Sequence, residues 1–202
     1  MPYEAKPLPF KKSLKGISDK TMQIHHDKLY QGYVTKSNEI REKLDAVEKL
    51  GNGTLEKANQ SYSDLRAMKD GETFAVNGVY LHEYYFNVLG GEGNATGSLV
   101  DAIAIEFGSL DNFVKYFKAC GLAARGWAVL SWDTHVGALR VYTADAHNQG
   151  GVWGAIPVIV LDVYEHAYFI DYGSDRKAYI EDYMTNLNWD AANAVYERAK
   201  RF

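Results

Sequence analysis

Apolar residues recur every three or four positions through most of the first half of the chain, which predicts helices. Ser18 can cap the first of them, and the helical pattern continues, with or without a break, to the glycine-rich turn near residue 52. Gly71 and Gly90 are predicted to end two later helices. The predicted helices of this half cover residues 19–33, 37–50, 55–68 and 74–89.

Beyond residues 90–97, a glycine-rich segment that is the best candidate for a linker, the pattern becomes mixed. Short apolar runs predict three strands, and the first two are joined by a hairpin turn at residues 133–137. The predicted strands cover residues 127–132, 138–143 and 156–163, and the predicted helices cover residues 98–107, 110–119, 175–184 and 190–202. The pattern therefore predicts a helical first half and a mixed second half.

Composition narrows the function classes. Of the 202 residues, 47% are hydrophobic and 24% are charged, as is ordinary for a globular protein. The net charge of −4 is too mild to indicate a nucleic-acid or membrane-surface partner. The start of the chain lacks a signal-peptide pattern and no apolar run reaches membrane-spanning length, so we expect a soluble cytoplasmic protein. The single cysteine excludes an intrachain disulfide, while tyrosine is plentiful at 15 residues.

The sequence DVYEHAY at residues 162–168 is the most informative motif, because Asp162 and His166 directly follow a strand-like apolar run. Burying a carboxylate costs roughly several kcal/mol unless a partner compensates. A metal ion could be that partner, since Asp-x-x-x-His supplies two ligands. A buried Asp–His hydrogen bond without a metal explains the motif as well, and spacing alone leaves both interpretations open.

Three further histidines are candidates for the same site. His25 shares a helical stripe with Leu29 and Tyr33, His82 lies on an aromatic-rich helix, and His147 lies in a polar loop. Each also has an ordinary explanation, as a hydrogen-bonded core histidine or a surface loop residue. Neutral imidazoles with a carboxylate suit iron, manganese or zinc, whereas calcium and magnesium prefer oxygen ligands. Sequence spacing does not bring these segments together.

The chain resembles the iron/manganese superoxide dismutases along nearly its whole length. The DVYEHAY motif is highly specific to that family, unlike a pair of histidines. The other matching stretches are LPF at residues 8–10, MQIHHDK at 22–28, FGSLDNF at 107–113, GWAVL at 126–130 and NLNW at 186–189.

The resemblance implies an α+β fold with a helical hairpin domain at residues 1–90. It implies a second domain at residues 91–202, in which helices flank a three-stranded antiparallel sheet. One iron or manganese ion per subunit would lie between them. The ion's one-electron cycling would convert superoxide to O₂ and H₂O₂, which zinc cannot do. The implied ligands are His25, His82, Asp162 and His166.

The resemblance also assigns residues around the ion. Tyr33 matches the family's gateway tyrosine, which is linked to the metal-bound solvent through a glutamine or a histidine. One subgroup places that glutamine where this chain has Gly78, so we expect His147 to take the role, with Gln149 as the second candidate. Trp127 is expected to lie around the ion's ligands or at the subunit interface.

Other matching positions concern the substrate and the subunit partner. Glu165 corresponds to a residue that reaches the partner's ligand across a dimer interface, and Arg176 lies where an arginine attracts the superoxide anion. The implied assembly is a homodimer, with a tetramer left open. Tyr164, Phe86 and Val129 stand where tryptophans are usual, which predicts a reshaped pocket.

Leu29 and Phe169 replace a histidine and a tyrosine that commonly hydrogen-bond each other across the dimer. Since both polar groups are absent, we predict an apolar Leu29–Phe169 contact between subunits. Two other functions remain open at this point. One is a degenerate family member that stores metal or acts structurally. The other is a mononuclear non-haem iron oxidase, which would need more open coordination positions than four protein ligands leave.

Overall fold

The computed structural model describes residues 2–51 and 53–202. The helices are α1 (Asp19–Ile24), α2 (Gln31–Leu50), α3 (Asp64–Asn87), α4 (Ser98–Phe107), α5 (Leu110–Ala123), α6 (Phe169–Tyr172), α7 (Arg176–Thr185) and α8 (Trp189–Ala199). The strands are β1 (Trp127–Asp133), β2 (Ala138–Ala144) and β3 (Ala155–Asp162). The predicted α+β class is confirmed.

Helices α1 and α2 form one continuous helical segment, because the π-helical turn His25–Tyr30 joins them without a break. The Ser18 side chain accepts a hydrogen bond from the Thr21 N–H and caps the start, as predicted. Helix α2 then packs along α3. These helices place His25 opposite the C-terminal end of α3, where His82 and Phe86 lie.

The prediction of two helices over residues 55–68 and 74–89 was wrong. Residues 53–63 form turns, and a single helix starts after Ser63, whose side chain accepts from the Arg66 N–H. Gly71 lies inside that helix rather than at its end. A Cβ on Gly71 would approach Cδ1 of Ile40 to 3.3 Å, so the glycine permits the close approach of α2 and α3.

The strands form one antiparallel sheet in the order β2-β1-β3. Trp127 at the start of β1 pairs with Ala144 at the end of β2 and with Asp162 at the end of β3. The loop after β2 and the DVYEHAY motif therefore leave the sheet at the same edge. Helices α3, α5 and α8 pack against the sheet and enclose the core.

The glycine-rich segment after α3 is packed rather than free. The N–H groups of Gly91 and Gly93 donate to the carbonyls of Asn186 and Leu187, and the Asn188 N–H donates to the Val88 carbonyl. Within residues 2–51 and 53–202, no helix is both long and apolar enough to cross a membrane.

Candidate metal centre

Four side chains converge where α3, the π-helical turn and the end of β3 meet. Oδ2 of Asp162 lies 3.1 Å from Nε2 of His25, 3.1 Å from Nε2 of His166 and 3.6 Å from Nε2 of His82. One potential ligand atom from each residue lies within 4.8 Å of the other three. The structure thus brings together the four residues that the resemblance named as ligands.

Local structure orients these rings. The wider π-helical turn begins at His25, and such single turns often occur at functional sites. On α3, Nδ1 of His82 lies 2.6 Å from the carbonyl oxygen of Gly78, one helical turn earlier. Because a carbonyl only accepts, His82 carries its proton on Nδ1 and directs the lone pair of Nε2 at the site.

The charges at the centre suit a cation. Burial lowers the pKa of His82 well below its ordinary value and also lowers that of His25, so both imidazoles are neutral. Burial alone would raise the pKa of Asp162, but His166 and His25 outweigh it and hold that pKa well below its usual range. The centre is therefore an ionised carboxylate beside two neutral rings. Burial alone would lower the pKa of His166, but the Asp162 carboxylate outweighs it and raises that pKa. The other oxygen of Asp162, Oδ1, accepts from the Tyr164 N–H at 2.9 Å.

Two buried nitrogens at this centre, Nε2 of His82 and Nδ1 of His25, have no hydrogen-bond partner among the described residues. Nε2 of His82 is the more informative, since its lone pair faces a carboxylate oxygen that is also an acceptor. Two buried acceptors facing each other are unfavourable unless a donor or a cation lies between them. An ion with three nitrogen ligands and one oxygen ligand resolves the conflict, and iron and manganese accept such a set.

A second group of side chains covers the centre. The indole N–H of Trp127 donates to Nδ1 of His147 at 3.0 Å, which leaves the His147 proton on Nε2 because an indole can only donate. Burial lowers the pKa of His147 to about 4 and keeps it neutral. The Tyr33 ring lies edge-on to His147, with 4.7 Å between centroids, and burial raises the pKa of Tyr33 to about 12.

The structure separates the two candidates for the group beside Tyr33. His147 is buried next to that ring, whereas Gln149 is exposed. Gly78 lies against the Tyr33 ring, which a Cβ at this position would approach to 2.8 Å. A side chain at position 78 would displace the tyrosine, so this position has no room for one.

Sequence reasoning missed two residues of this cover. Phe74 packs beside both Tyr33 and His147, with centroid distances of 6.0 Å and 4.5 Å. It precedes His82 by eight residues on α3, and the helical period places both on roughly one face, a signal that could have found it. Asn148 was also missed. Its side-chain amide donates to the Asp70 carbonyl and ties the loop to α3.

The outer side of the centre is more open. The His166 side chain is 24% exposed, and the Tyr164 ring stacks on it at 5.3 Å. Glu165 is exposed, Phe169 is 55% exposed and Leu29 is half-buried. These residues form the rim of the site. The predicted Leu29–Phe169 contact joins two subunits, so a single chain does not need to contain it.

The remaining predicted positions lie around the site. Phe86 packs its ring edge-on to His25 at 5.2 Å, and Val129 is buried in β1. Arg176 at the start of α7 is half-buried, donating from Nε to the Tyr168 hydroxyl at 3.2 Å and from Nη1 to the Ala124 carbonyl at 2.7 Å.

Comparison with known proteins agrees with this geometry. Residues 2–90 match the family model described as "Iron/manganese superoxide dismutases, alpha-hairpin domain", and residues 95–195 match the one described as the C-terminal domain of the same enzymes. A protein of Aquifex aeolicus named "Superoxide dismutase [Fe]" is 44% identical over 191 residues, which cover 94% of this chain and 88% of the relative.

Relatives that carry either metal in their names match nearly the full chain. "Superoxide dismutase [Mn] 1" of Halobacterium salinarum is 34% identical over 201 residues, covering 98% of this chain and 96% of the relative. "Superoxide dismutase [Fe]" of Cupriavidus metallidurans is 34% identical over 205 residues, covering 100% of both. Since both family domains are matched in order and meet at a cluster of metal-binding side chains, the chain belongs to the iron/manganese superoxide dismutase family.

Proposed function

We propose that the chain converts superoxide to O₂ and H₂O₂ with one iron or manganese ion, bound by His25, His82, Asp162 and His166. The observation that carries this proposal is the lone pair of His82 Nε2, buried without a partner and facing the buried Asp162 carboxylate. When bound, either metal supplies an electron carrier that alternates between trivalent and divalent states. The following residues supply the rest of the chemistry.

Proton delivery falls to Tyr33 and His147. Reduction of superoxide to H₂O₂ consumes two protons, and both side chains hold a proton close to the centre. Trp127 fixes the His147 proton on Nε2, and the Tyr33 phenol stays protonated near neutral pH because burial raises its pKa to about 12. Phe74 packs beside both side chains at the same point.

Arg176 is proposed to attract the anionic substrate. The protein carries a net charge of −4, so local positive charge is needed to draw superoxide in. The Tyr168 hydroxyl and the Ala124 carbonyl each accept a hydrogen bond from the Arg176 guanidinium. These two bonds fix the guanidinium on the side of the site that the C-terminal half of the chain forms.

The rim residues support a homodimer, with a tetramer as the alternative. Phe169 and Ile170 expose apolar surface beside the centre, at 55% and 47% exposure, and burial against a second subunit would stabilise them. In this assembly Glu165 reaches the partner's His166, and Leu29 packs against the partner's Phe169. Sedimentation analysis would distinguish monomer, dimer and tetramer.

We also infer a division into domains 1–90 and 91–202 and a cytoplasmic location. A single cysteine means that folding needs no oxidising compartment, which supports the cytoplasmic location. Separate expression of the two segments tests the boundary, because each should keep its own secondary structure by circular dichroism. Cell fractionation tests the location.

The function is tested by loading metal-free protein separately with iron and with manganese. Metal content by elemental analysis and the rate of superoxide removal are then measured on the same samples. We expect one ion per subunit and superoxide removal with at least one of the two metals. Full occupancy without activity in either form would support a degenerate family member instead, and O₂ consumption with an organic substrate would support an oxidase.

A further inference from the structure

A row of tyrosines leads from the metal centre to the surface on the side away from Tyr33. The Tyr85 ring lies 5.0 Å from the His25 ring, and the hydroxyls of Tyr85 and Tyr179 are 3.2 Å apart. The Tyr179 ring lies 5.8 Å from that of Tyr172. We call Tyr85, Tyr179 and Tyr172 the tyrosine row. Proton transfer at Tyr33 does not use it.

The row changes from buried to accessible along its length. Tyr85 and Tyr179 are fully buried, whereas Tyr172 is half-buried at the end of α6. The Tyr85 and Tyr179 hydroxyls and the Tyr179 and Tyr172 rings lie in near contact, a spacing at which electrons pass readily between aromatic groups. The row therefore connects the ion site to solvent without a gap.

The hydrogen bonds give the row a direction. The Tyr179 hydroxyl donates to the Asp162 carbonyl at 2.7 Å, so the Tyr85 hydroxyl donates to Tyr179. Both phenols thus donate to neutral oxygens. The Tyr172 hydroxyl instead donates to a carboxylate, Oδ2 of Asp182, at 2.8 Å.

This difference decides where an oxidised tyrosine is stable. A phenol that loses an electron and keeps its proton is a cation, and an unpaired buried cation is costly. Neither a carbonyl nor a neutral phenol accepts that proton well, but the Asp182 carboxylate does. An electron vacancy created at the centre is therefore most stable on Tyr172, at the outer end of the row.

We propose that the tyrosine row conducts one-electron oxidising equivalents away from the metal centre to Tyr172. This inference rests on the proposed function, since the oxidant would be a hydroxyl radical, formed where the product H₂O₂ took one electron from a bound ferrous ion and split into the radical and hydroxide. One electron passes from Tyr172 through Tyr179 and Tyr85 and reduces the radical to hydroxide. The Tyr172 phenol proton moves to Asp182 and leaves a neutral tyrosyl radical, which a thiol reductant in solution can reduce.

Another phenol–carboxylate pair near the centre is a poorer exit. The Tyr30 hydroxyl donates to Glu83 at 3.0 Å, and its ring lies 6.5 Å from His82. Glu83 already accepts from the Lys6 ammonium, which weakens it as a proton acceptor. Tyr30 itself is buried, so a radical there would be out of reach of soluble reductants.

The test treats iron-loaded protein with H₂O₂ and follows radicals by freeze-quench electron paramagnetic resonance, with peptide mass spectrometry to locate oxidised residues. Wild type should give a tyrosyl radical that maps to Tyr172. Tyr172→Phe and Tyr85→Phe should lose that radical and show more oxidation of His25. Tyr142→Phe is the matched control, because Tyr142 also donates to a carboxylate, Asp133, but lies outside the row. Tyr172→Phe should keep wild-type dismutase activity, and metal-free protein should form no radical.

The outcomes separate this inference from the proposed function. An unchanged radical yield in Tyr172→Phe, or a radical on Tyr30, Tyr33 or Trp127, would overturn the row as the exit. So would a wild-type protein that forms no radical and oxidises its ligand histidines as fast as the variants do. In each of these cases measured superoxide removal would leave the proposed function standing, whereas fully metallated but inactive protein would refute the proposed function itself.

Discussion

The floor and the rim of the metal site are stabilised in different ways. On the floor, His25, His82 and Asp162 are fully buried, and the carbonyl of Gly78 and the N–H of Tyr164 orient the second and third of them. On the rim, the side chain of His166 is 24% exposed and Phe169 is 55% exposed. A single chain thus determines the floor, whereas the rim leaves apolar surface open to solvent, where the proposed second subunit would pack. Changes to the floor should alter metal binding and chemistry, and changes to the rim should alter assembly.

The largest effect is expected from His82→Ala, which removes a floor ligand. The variant should lose its metal and with it all superoxide removal, because two imidazoles and one carboxylate remain and the site gains a water-sized gap. Elemental analysis after gel filtration measures the loss. His135→Ala, which changes an exposed histidine in the β1–β2 turn, is the control and should retain full metal content. Retention of metal and activity by His82→Ala would refute the ligand assignment.

The second-largest effect is expected from changing His147, which covers the buried ligands. His147→Ala should reduce the rate of superoxide removal by about 10–100-fold, as is typical when a group next to the metal ligands is lost. Metal content should stay near one ion per subunit. His147→Gln, which keeps an N–H donor, should recover part of the rate. Equal rates for wild type and His147→Ala, measured at equal metal content, would contradict the proton-delivery role.

A smaller effect is expected from Gly78→Ala. The new methyl group would lie 2.8 Å from the Tyr33 ring, and such overpacking costs about 1–3 kcal/mol of unfolding free energy. Gly32→Ala is a matched control on α2, where a Cβ meets no described atom within 4 Å. It should stabilise the protein by about 0.5–1 kcal/mol, since alanine favours helix over glycine. Urea denaturation of both variants measures the contrast, and equal shifts would contradict the tight Gly78–Tyr33 contact.

The smallest effect is expected at the rim. Leu29→His should weaken the dimer by about 1 kcal/mol, because it buries a polar group without a partner. Metal content and activity per subunit should stay close to wild type at high protein concentration. The double variant Leu29→His, Phe169→Tyr restores a possible hydrogen bond and should recover the dimer. Sedimentation equilibrium measures both dissociation constants, and an unchanged constant for Leu29→His would refute the predicted contact.

Local sequence signals predicted most of the fold. The three strands were predicted to within one residue at their starts, since each is a short apolar run beside a turn or loop. The sequence pattern predicts helix α3 in two parts, because it favours a helix end at Gly71. A glycine inside a helix costs only about 1 kcal/mol, however, and the close packing at Ile40 compensates for it. The π-helical turn leaves no mark in the apolar pattern, so the sequence could not predict it.

The site could be predicted only in part from the residues themselves. Residue type identified His25, His82 and Asp162 as possible ligands, but positions so far apart in the chain meet only through tertiary packing. The resemblance to the family, and not the residues themselves, predicted that these positions meet. Phe74 was overlooked because an aromatic residue on an amphipathic helix is usually part of the core, and only its contacts with Tyr33 and His147 distinguish it.

The most direct test of the metal centre is anomalous diffraction from crystals of iron-loaded protein, with data collected on both sides of the iron absorption edge. We expect one strong peak per subunit, about 2.0–2.2 Å from Nε2 of three histidines and from Oδ2 of Asp162. The three histidines are His25, His82 and His166. A peak at any other position, or full occupancy with one of these four side chains turned away from the ion, would contradict the account.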